Sequence, residues 1–334
     1  MKAVKVRKEE AEKIRKWLEK NGYKDKDRRI RVEDGYVIIP VIETFNIPGS
    51  YDIIQDKNPV FKEKKDFRSI VENVAGYYPK YADFKIFGKV GVVKLPEEIT
   101  QFSKRIADEL MRTYRLKAVW LDRGRHGMLR KPEMELLAGQ GSETEVKEHG
   151  YIYRFDVTKV MFSQGNKFEK MRIAGLVEDG EIVADMFAGI GYFTIPVAKH
   201  SRAKKIYAFE INPDSYTFLL ENIKINKVNG IVPILGDSMH IVPEGFADRV
   251  IMGHINAEPF IPVAIRALRD EGWIHYHEST PEKILSRPVE RIKKHAEKQG
   301  AEVKEINLRK VKNYSPRVLH VVVDARIKIN RTEV

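Results

Sequence analysis

Cysteine is absent from all 334 residues. Its absence excludes disulfide stapling, thiolate zinc sites, iron–sulfur clusters and a cysteine nucleophile. Long apolar runs are missing too, and no window approaches the roughly 18 uninterrupted apolar residues of a helical membrane span. The opening MKAVKVRKEEAEKIRKWLEK alternates charge at helical spacing and holds no apolar signal core. These absences predict a cytoplasmic chain that avoids the membrane. Glutamine is scarce and charge abundant, a composition resembling that of heat-adapted proteins.

Hydrophobic residues make up 43% of the chain and charged ones 32%, which predicts two or more packed units rather than disorder. The 60 Lys and Arg against 48 Asp and Glu leave a net charge of +12, with a pI near 9.4. Such a surplus favours a polyanionic partner, nucleic acid first. No segment calls for an obligate protein partner.

Three parts are expected: 1–62, 63–150 and 151–334. Residues 2–20 read as an amphipathic helix with Val4, Ala11, Ile14 and Leu18 near one face. A β-rich run, Tyr36–Ile42, closes at the breaker stretch Asn46-Ile47-Pro48-Gly49, and the polar residues 55–67 read as a linker. The second part pairs strands 83–86 and 90–93 through Gly88, then predicts a helix over 97–113 and a strand over 118–121. Residues 122–131, DRGRHGMLRK, read as a Gly-broken basic loop: a solvated loop, or a surface that neutralises phosphates. Both parts predict small α+β modules.

From residue 151 strands and helices alternate. Strands are expected at 182–186, 205–210, 231–235, 248–253, 272–277 and 317–324, with helices at 192–200, 213–226, 257–268 and 285–299. This pattern predicts a doubly wound, mostly parallel, Rossmann-like sheet ending in an antiparallel hairpin formed by 303–311 and 317–323.

The chemistry-bearing residues cluster at the ends of the first three of these strands. Asp185-Met186-Phe187-Ala188-Gly189-Ile190-Gly191 ends a strand and turns toward a helix. Ligands of open α/β sheets sit at such carboxyl ends. Gly189 and Gly191 allow close backbone approach, although a structural turn explains Gly-x-Gly equally well. Phe193 and Thr194 stand where a dinucleotide fingerprint has its third small residue, so the turn suits a nucleoside without pyrophosphate. Glu210 ends the second strand, where a carboxylate can accept from both ribose hydroxyls. Asp237 ends the third and could accept from an adenine amino group; Asp185 could hold a ligand's ammonium. Each acid alone could be a cap. Three at successive strand ends point to an S-adenosylmethionine site.

From about residue 63 onward the chain resembles the archaeal and eukaryotic tRNA methyltransferases that modify N1 of the guanosine 3′ of the anticodon. It also resembles their sisters, the wybutosine-pathway aminocarboxypropyltransferases, and is closer to them in its active-site motifs. The resemblance is carried by Gly127-Met128-Leu129-Arg130, Glu135–Gly139, Asp156–Arg172, Asp185–Thr194, Ile274–Glu278 and Tyr314-Ser315-Pro316. Residues 1–60 resemble the methyltransferases' extra domain, which in that family recognises the tRNA elbow. The resemblance implies a class I S-adenosylmethionine-dependent fold after two α+β accessory domains. It implies that Ser163, Lys170, Phe187, Ile211, Ser238 and Gly253 line the cofactor site beside Asp185, Gly189, Gly191, Glu210 and Asp237. It implies Glu169 as general base, with Arg130 near the target base in a tRNA anticodon loop. The family usually has Arg where Lys170 stands, and Lys gives up the bidentate grip on a carboxylate.

Two positions separate the sisters. The methyltransferases place an Asn side chain at the end of the fourth strand to hold the purine edge; here Met252-Gly253 stands, as in the aminocarboxypropyltransferases. Met161 replaces the methyltransferases' Tyr. Both predict transfer of the 3-amino-3-carboxypropyl group to C7 of 4-demethylwyosine at position 37 of tRNA-Phe. The alternatives are guanine-N1 methylation and an inactive tRNA-binding homologue. His275 and His277 read as core or rim residues, Met161 and Met252 as core.

Overall fold

The first strand lies where the sequence pattern predicts a helix. In the computed structural model, which describes residues 1–42, 52–61, 66–127 and 131–330, Lys2–Arg7 forms β1 and only Lys8–Lys20 is helical, as α1. Ala3, Val4 and Val6 are buried in β1, which is hydrogen-bonded on both sides. Two satisfied ladders outweigh the helical spacing of these residues, since β-branched valines favour the pleated conformation.

β2 (Arg31–Glu33), β3 (Tyr36–Pro40) and β4 (Asp52–Gln55) complete an antiparallel sheet in the order β2-β3-β1-β4. Ile14 and Leu18 of α1 close its core over Val4, Val6, Ile39 and Val41. Residues 55–61, expected as linker, belong to this packed part. Asp56 is buried and accepts from Arg31 at 2.6 and 3.0 Å, and Phe61 bridges to Arg28. Arg28, also buried, donates to the carbonyls of Lys2 and Val41. The stretch Asn46–Gly49 and the boundary expected at residue 62 fall outside the described residues. Two compact units divide the chain, Met1–Ile70 and Val71–Val334, with α2 (Phe67–Ala75) crossing the division.

In the second unit β5 (Asp83–Phe87) and β6 (Val90–Lys94) turn at Gly88, whose φ of +55° suits glycine. The expected helix over 97–113 begins as a 3₁₀ turn, Glu97–Phe102, before α3 (Ser103–Tyr114). β7 (Ala118–His126) and β8 (Lys131–Gly139) finish a sheet ordered β5-β6-β7-β8. The presumed basic loop is therefore mostly strand: Asp122–His126 continue β7, and Lys131 opens β8. β9 (Glu143–Glu148) and β10 (Tyr151–Asp156) form a hairpin whose turn contains the expected 150/151 division. Asn222 and Asn226 hydrogen-bond the backbone of Arg154 and Ile152, tying this hairpin to the sheet domain.

After α4 (Lys167–Leu176) the alternation follows: β11 (Ile182–Asp185), α5 (Thr194–His200), β12 (Lys205–Glu210), α6 (Pro213–Asn226), β13 (Ile231–Leu235) and α7 (Ser238–Ile241). β14 (Ala247–Met252), α8 (Ile261–Ala267), β15 (Leu268–Pro281), α9 (Arg287–Lys298), β16 (Ala301–Ser315) and β17 (Val318–Ile329) complete it. The sheet order is β13-β12-β11-β14-β15-β17-β16, with β11 to β15 parallel and β17 antiparallel to β15. This is the seven-stranded, class I Rossmann-like sheet, and β16–β17 is its terminal hairpin. Period-two alternation serves both faces. Ala184, Val250 and Met252 pack with α8 and α9, while Val183 and Ile251 pack with α4 and α5. Strand order reverses between β11 and β14, so a cleft opens at their carboxyl ends.

Candidate cofactor site

The turn after β11 is built by hydrogen bonds that bring two of the strand-end acids together. Gly189, at φ +56°, donates its N–H to Glu210 Oε2 at 2.7 Å. Asn212 donates to Glu210 Oε1 at 2.7 Å, so both oxygens are fixed and each keeps a lone pair for a ligand. Glu210 is nearly buried at the end of β12, and burial pushes its carboxyl above the usual range against these bonds. A Cβ on Gly189 would stand 2.7 Å from the Tyr192 ring; one on Gly191 would stand 2.6 Å from Ile195.

Asp185 is placed differently from the expectation. It is completely buried, accepts the Thr194 hydroxyl at 2.7 Å on Oδ2, and receives the Phe187 N–H on Oδ1 at 3.4 Å. A group sealed from solvent holds the turn rather than gripping a ligand's ammonium. Asp237 caps α7 by accepting from Met239 and keeps its second oxygen, with Ser238 buried behind it. Around Asp237, Ile211, Leu235 and Ile241 are 42%, 49% and 37% exposed. Exposed apolar residues clustered at strand ends offer the face that a planar heterocycle needs. Phe187 packs edge-on against Phe260 and faces the His254 ring at 5.5 Å. Gly253 follows β14, and a Cβ there would stand 2.6 Å from Phe193.

Segment 161–170 lies beside this turn. The Tyr192 hydroxyl donates to the carbonyl of Met161, and the Tyr153 hydroxyl donates to the carbonyl of Tyr192. Met161, expected in the core, is 37% exposed because only its backbone is held. Lys170 is 1% exposed; its Nζ lies 3.0 Å from buried Glu148 and over the rings of Tyr153, Phe162 and Tyr192 at 4.6–5.3 Å. Burial pulls the pKa of Lys170 down while Glu148 raises it.

Glu169 is 4% exposed and accepts two hydrogen bonds from Arg172. Arg172 also grips Asp324 at 2.7 and 3.0 Å, and Asp324 accepts from His275 Nδ1 at 2.6 Å. Arg249, paired twice with Glu181, donates to His275 Nε2 at 2.8 Å. Because a guanidinium only donates, His275 is the neutral Nδ1–H tautomer. Burial keeps it so. His277 and His320 share a 2.9 Å hydrogen bond, and burial holds each near a pKa of 3. Arg130 lies outside the described residues.

Residues 144–304 match the TRM5/TYW2 methyltransferase domain; residues 3–47 match the tRNA methyltransferase 5 N-terminal domain and 74–142 the TYW2 N-terminal domain. A Methanocaldococcus jannaschii protein described as tRNA(Phe) (4-demethylwyosine(37)-C(7)) aminocarboxypropyltransferase is 44% identical over 72% of this chain and 98% of its own length. The chain belongs to the TRM5/TYW2 family. A second member, tRNA (guanine(37)-N(1))-methyltransferase Trm5b of Pyrococcus abyssi, is 35% identical over 97% of this chain and 98% of its own. The crystal structure of that Trm5b covers 98% of this chain and all of its own at a TM-score of 0.75 and 34% identity. That of M. jannaschii TYW2 in complex with AdoMet covers 74% of this chain and all of its own at 0.61 and 38%.

Several features around this turn leave no motif in the sequence. Leu235 and Ile241 are exposed apolar residues, which carry no motif. Glu148 and Tyr153 meet Lys170 through the β9–β10 hairpin, and Phe162 through the segment that follows it. Asp324 did leave a signal: an acid inside the apolar run Leu319–Ile327 of a central strand demands a partner.

Burial pushes the Asp185 carboxyl up to about 6, against the Thr194 hydroxyl and the Phe187 N–H, which lower it. The folded state therefore keeps this proton through the range in which the unfolded chain has lost it. Its stabilising contribution is complete below about pH 4 and is lost as pH rises through 6. Relative to Asp185→Asn, wild type should lose about 2 kcal/mol of unfolding free energy between pH 4 and 7. Urea titrations at the two pH values measure this; a difference independent of pH would mean that the carboxyl ionises as in water.

Proposed function

We propose that this chain transfers the 3-amino-3-carboxypropyl group of S-adenosylmethionine to C7 of 4-demethylwyosine at position 37 of tRNA-Phe. The observation that carries the reading is at Gly253. Phe193 fills the space a side chain would need there, so no carboxamide can hold a guanine edge as in the methyltransferase sisters. The 44% identity to an aminocarboxypropyltransferase points the same way. Guanine-N1 methylation is the second reading, favoured by the N-terminal match and the full-length Trm5b likeness.

The residues present fit the cofactor. The glycine turn leaves the backbone open where Cβ atoms would clash, and acids and apolar residues alternate around it. Glu210 accepts from the ribose hydroxyls. Asp237 turns its free oxygen to the adenine amino group, with Ser238 behind it and Ile211, Leu235 and Ile241 against the ring. Asp185, Gly189 and Gly191 hold the turn; Phe187 and Gly253 line the edge facing the base; Ser163 meets the methionyl side. Lys170, closed in by Glu148 and three rings, shapes the wall. When bound, S-adenosylmethionine supplies a sulfonium-activated Cγ carbon and leaves as methylthioadenosine. Glu169, fixed by Arg172, takes the proton that C7 loses on substitution, and Arg130 orients the base. Quantifying methylthioadenosine against S-adenosylhomocysteine after turnover tests this: methylthioadenosine is expected, and S-adenosylhomocysteine alone would select methylation.

We place the elbow contact on residues 1–62, anticodon-loop contacts on 63–150 and catalysis on 151–334, all in the cytoplasm. A cavity of about 480 Å³ on the β5–β8 sheet presents Lys85, Lys94 and Arg125 beside Asp83 and Asp122. These cations suit RNA phosphates, so tRNA affinity should fall about a thousandfold or more between 50 and 200 mM salt. Removing residues 1–60 should raise the KM for tRNA and spare the single-turnover rate. A flat salt response would exclude phosphate-led docking, and a collapsed single-turnover rate would place these residues in the chemistry.

A further inference from the structure

Lys170 stands where the family usually has Arg, yet its ammonium is closed in by Glu148 at 3.0 Å and by three aromatic rings. That leaves the negative end of the methionyl arm without a cation from helix α4. A different element supplies one. Lys312, on the terminal hairpin strand β16, places Nζ 3.4 Å from Ser163 Oγ. The same ammonium would lie 2.8 Å from a Cβ on Gly165, so the missing side chain at 165 is what admits it.

Lys312 is half buried and has no acid partner among the described residues. The nearby cations do have one: Lys85 pairs with Asp83, and Lys167 and Lys170 share Glu148. Burial and the positive charge of Lys85 both lower its pKa, as expected for a cation that lacks a counter-charge. A half-buried, unpaired ammonium is costly unless an anion completes it. Ser163 joins this ammonium to the glycine turn through Met161, whose carbonyl accepts from the Tyr192 hydroxyl.

We propose that Lys312 is the binding residue for the α-carboxylate of the cofactor's methionyl arm, sharing it with the Ser163 hydroxyl, in place of the family's arginine. The assignment rests on the S-adenosylmethionine reading above, and it holds for either transfer reaction because the carboxylate is common to both. The carboxylate is chosen over an RNA phosphate because the ammonium contacts Ser163, which the S-adenosylmethionine reading places at the methionyl arm.

Calorimetry on the full chain without RNA separates the possibilities, using S-adenosylmethionine, S-adenosylhomocysteine and methylthioadenosine, which lacks the amino-carboxyl arm. Lys312→Met should weaken the first two by about ten- to a hundredfold, the range of one charge-assisted hydrogen bond. It should leave methylthioadenosine within about twofold, which also shows that the nucleoside site is folded. Lys312→Arg should restore most of the loss, and Lys170→Met should not separate the three ligands. Equal losses for all three would make Lys312 merely structural. Unchanged cofactor affinity, with weaker tRNA binding in a parallel titration of the same variant, would make it a phosphate contact; either result overturns the assignment. If wild type binds methylthioadenosine and S-adenosylmethionine equally well, no carboxylate subsite exists and the proposal falls while the nucleoside reading stands. If wild type binds neither, both fall.

Discussion

Glu210→Ala is expected to weaken S-adenosylmethionine binding by about a hundredfold. Two hydrogen bonds from ribose hydroxyls to a carboxylate, at about 1.5 kcal/mol each, give that factor at the low end of their range. The substitution also orphans the N–H groups of Gly189 and Asn212, which now donate to the two carboxylate oxygens at 2.7 Å. The turn therefore loosens where the cofactor rests, and the loss can exceed the ribose contribution. Glu210→Gln, keeping one acceptor oxygen, should fall between the two. Calorimetry decides, with thermal melting to separate binding from folding. An alanine variant that binds as wild type does would remove the ribose role.

Arg172→Ala should have the largest effect on stability. It leaves Glu169 and Asp324, two buried or nearly buried carboxylates, without the guanidinium that binds both. Breaking a buried pair this way costs about 3–5 kcal/mol, because desolvation remains after the attraction is gone. In a chain this long the melting temperature should drop by roughly 4–7 °C. The triple change of Arg172→Met, Glu169→Gln and Asp324→Asn should recover part of that, since it removes the unpaired charge along with the pair. A single alanine variant melting as wild type does would show that water already compensates these carboxylates.

The sheet domain was legible because its strands are apolar and bounded by turns: β12, α6 and β13 lie over 205–210, 213–226 and 231–235, as their patterns predict. Strand-end acids were legible because topology puts such ends at one cleft. What failed was local pattern in competition with pairing. Lys2–Arg7 reads as helix by spacing and became the centre of a sheet. The basic run 122–131 reads as loop by composition, yet Asp122–His126 pairs with Lys131–Met134. Asp185 matched its motif and missed its role, since burial depends on neighbours the strand does not name. The surroundings of Lys170 and Lys312 were illegible for a similar reason: Glu148, which engages Lys170, lies 22 residues earlier, and the Lys312–Ser163 contact spans 149.

The central claim concerns which carbon of the sulfonium is donated. Incubating the chain with carboxyl-labelled S-adenosylmethionine and tRNA carrying either guanosine or 4-demethylwyosine at position 37 tests it directly. The account predicts label retained in the demethylwyosine-bearing RNA, with unlabelled methylthioadenosine released in equal amount. Label recovered only in S-adenosylhomocysteine, with the guanosine-bearing RNA methylated, would contradict it.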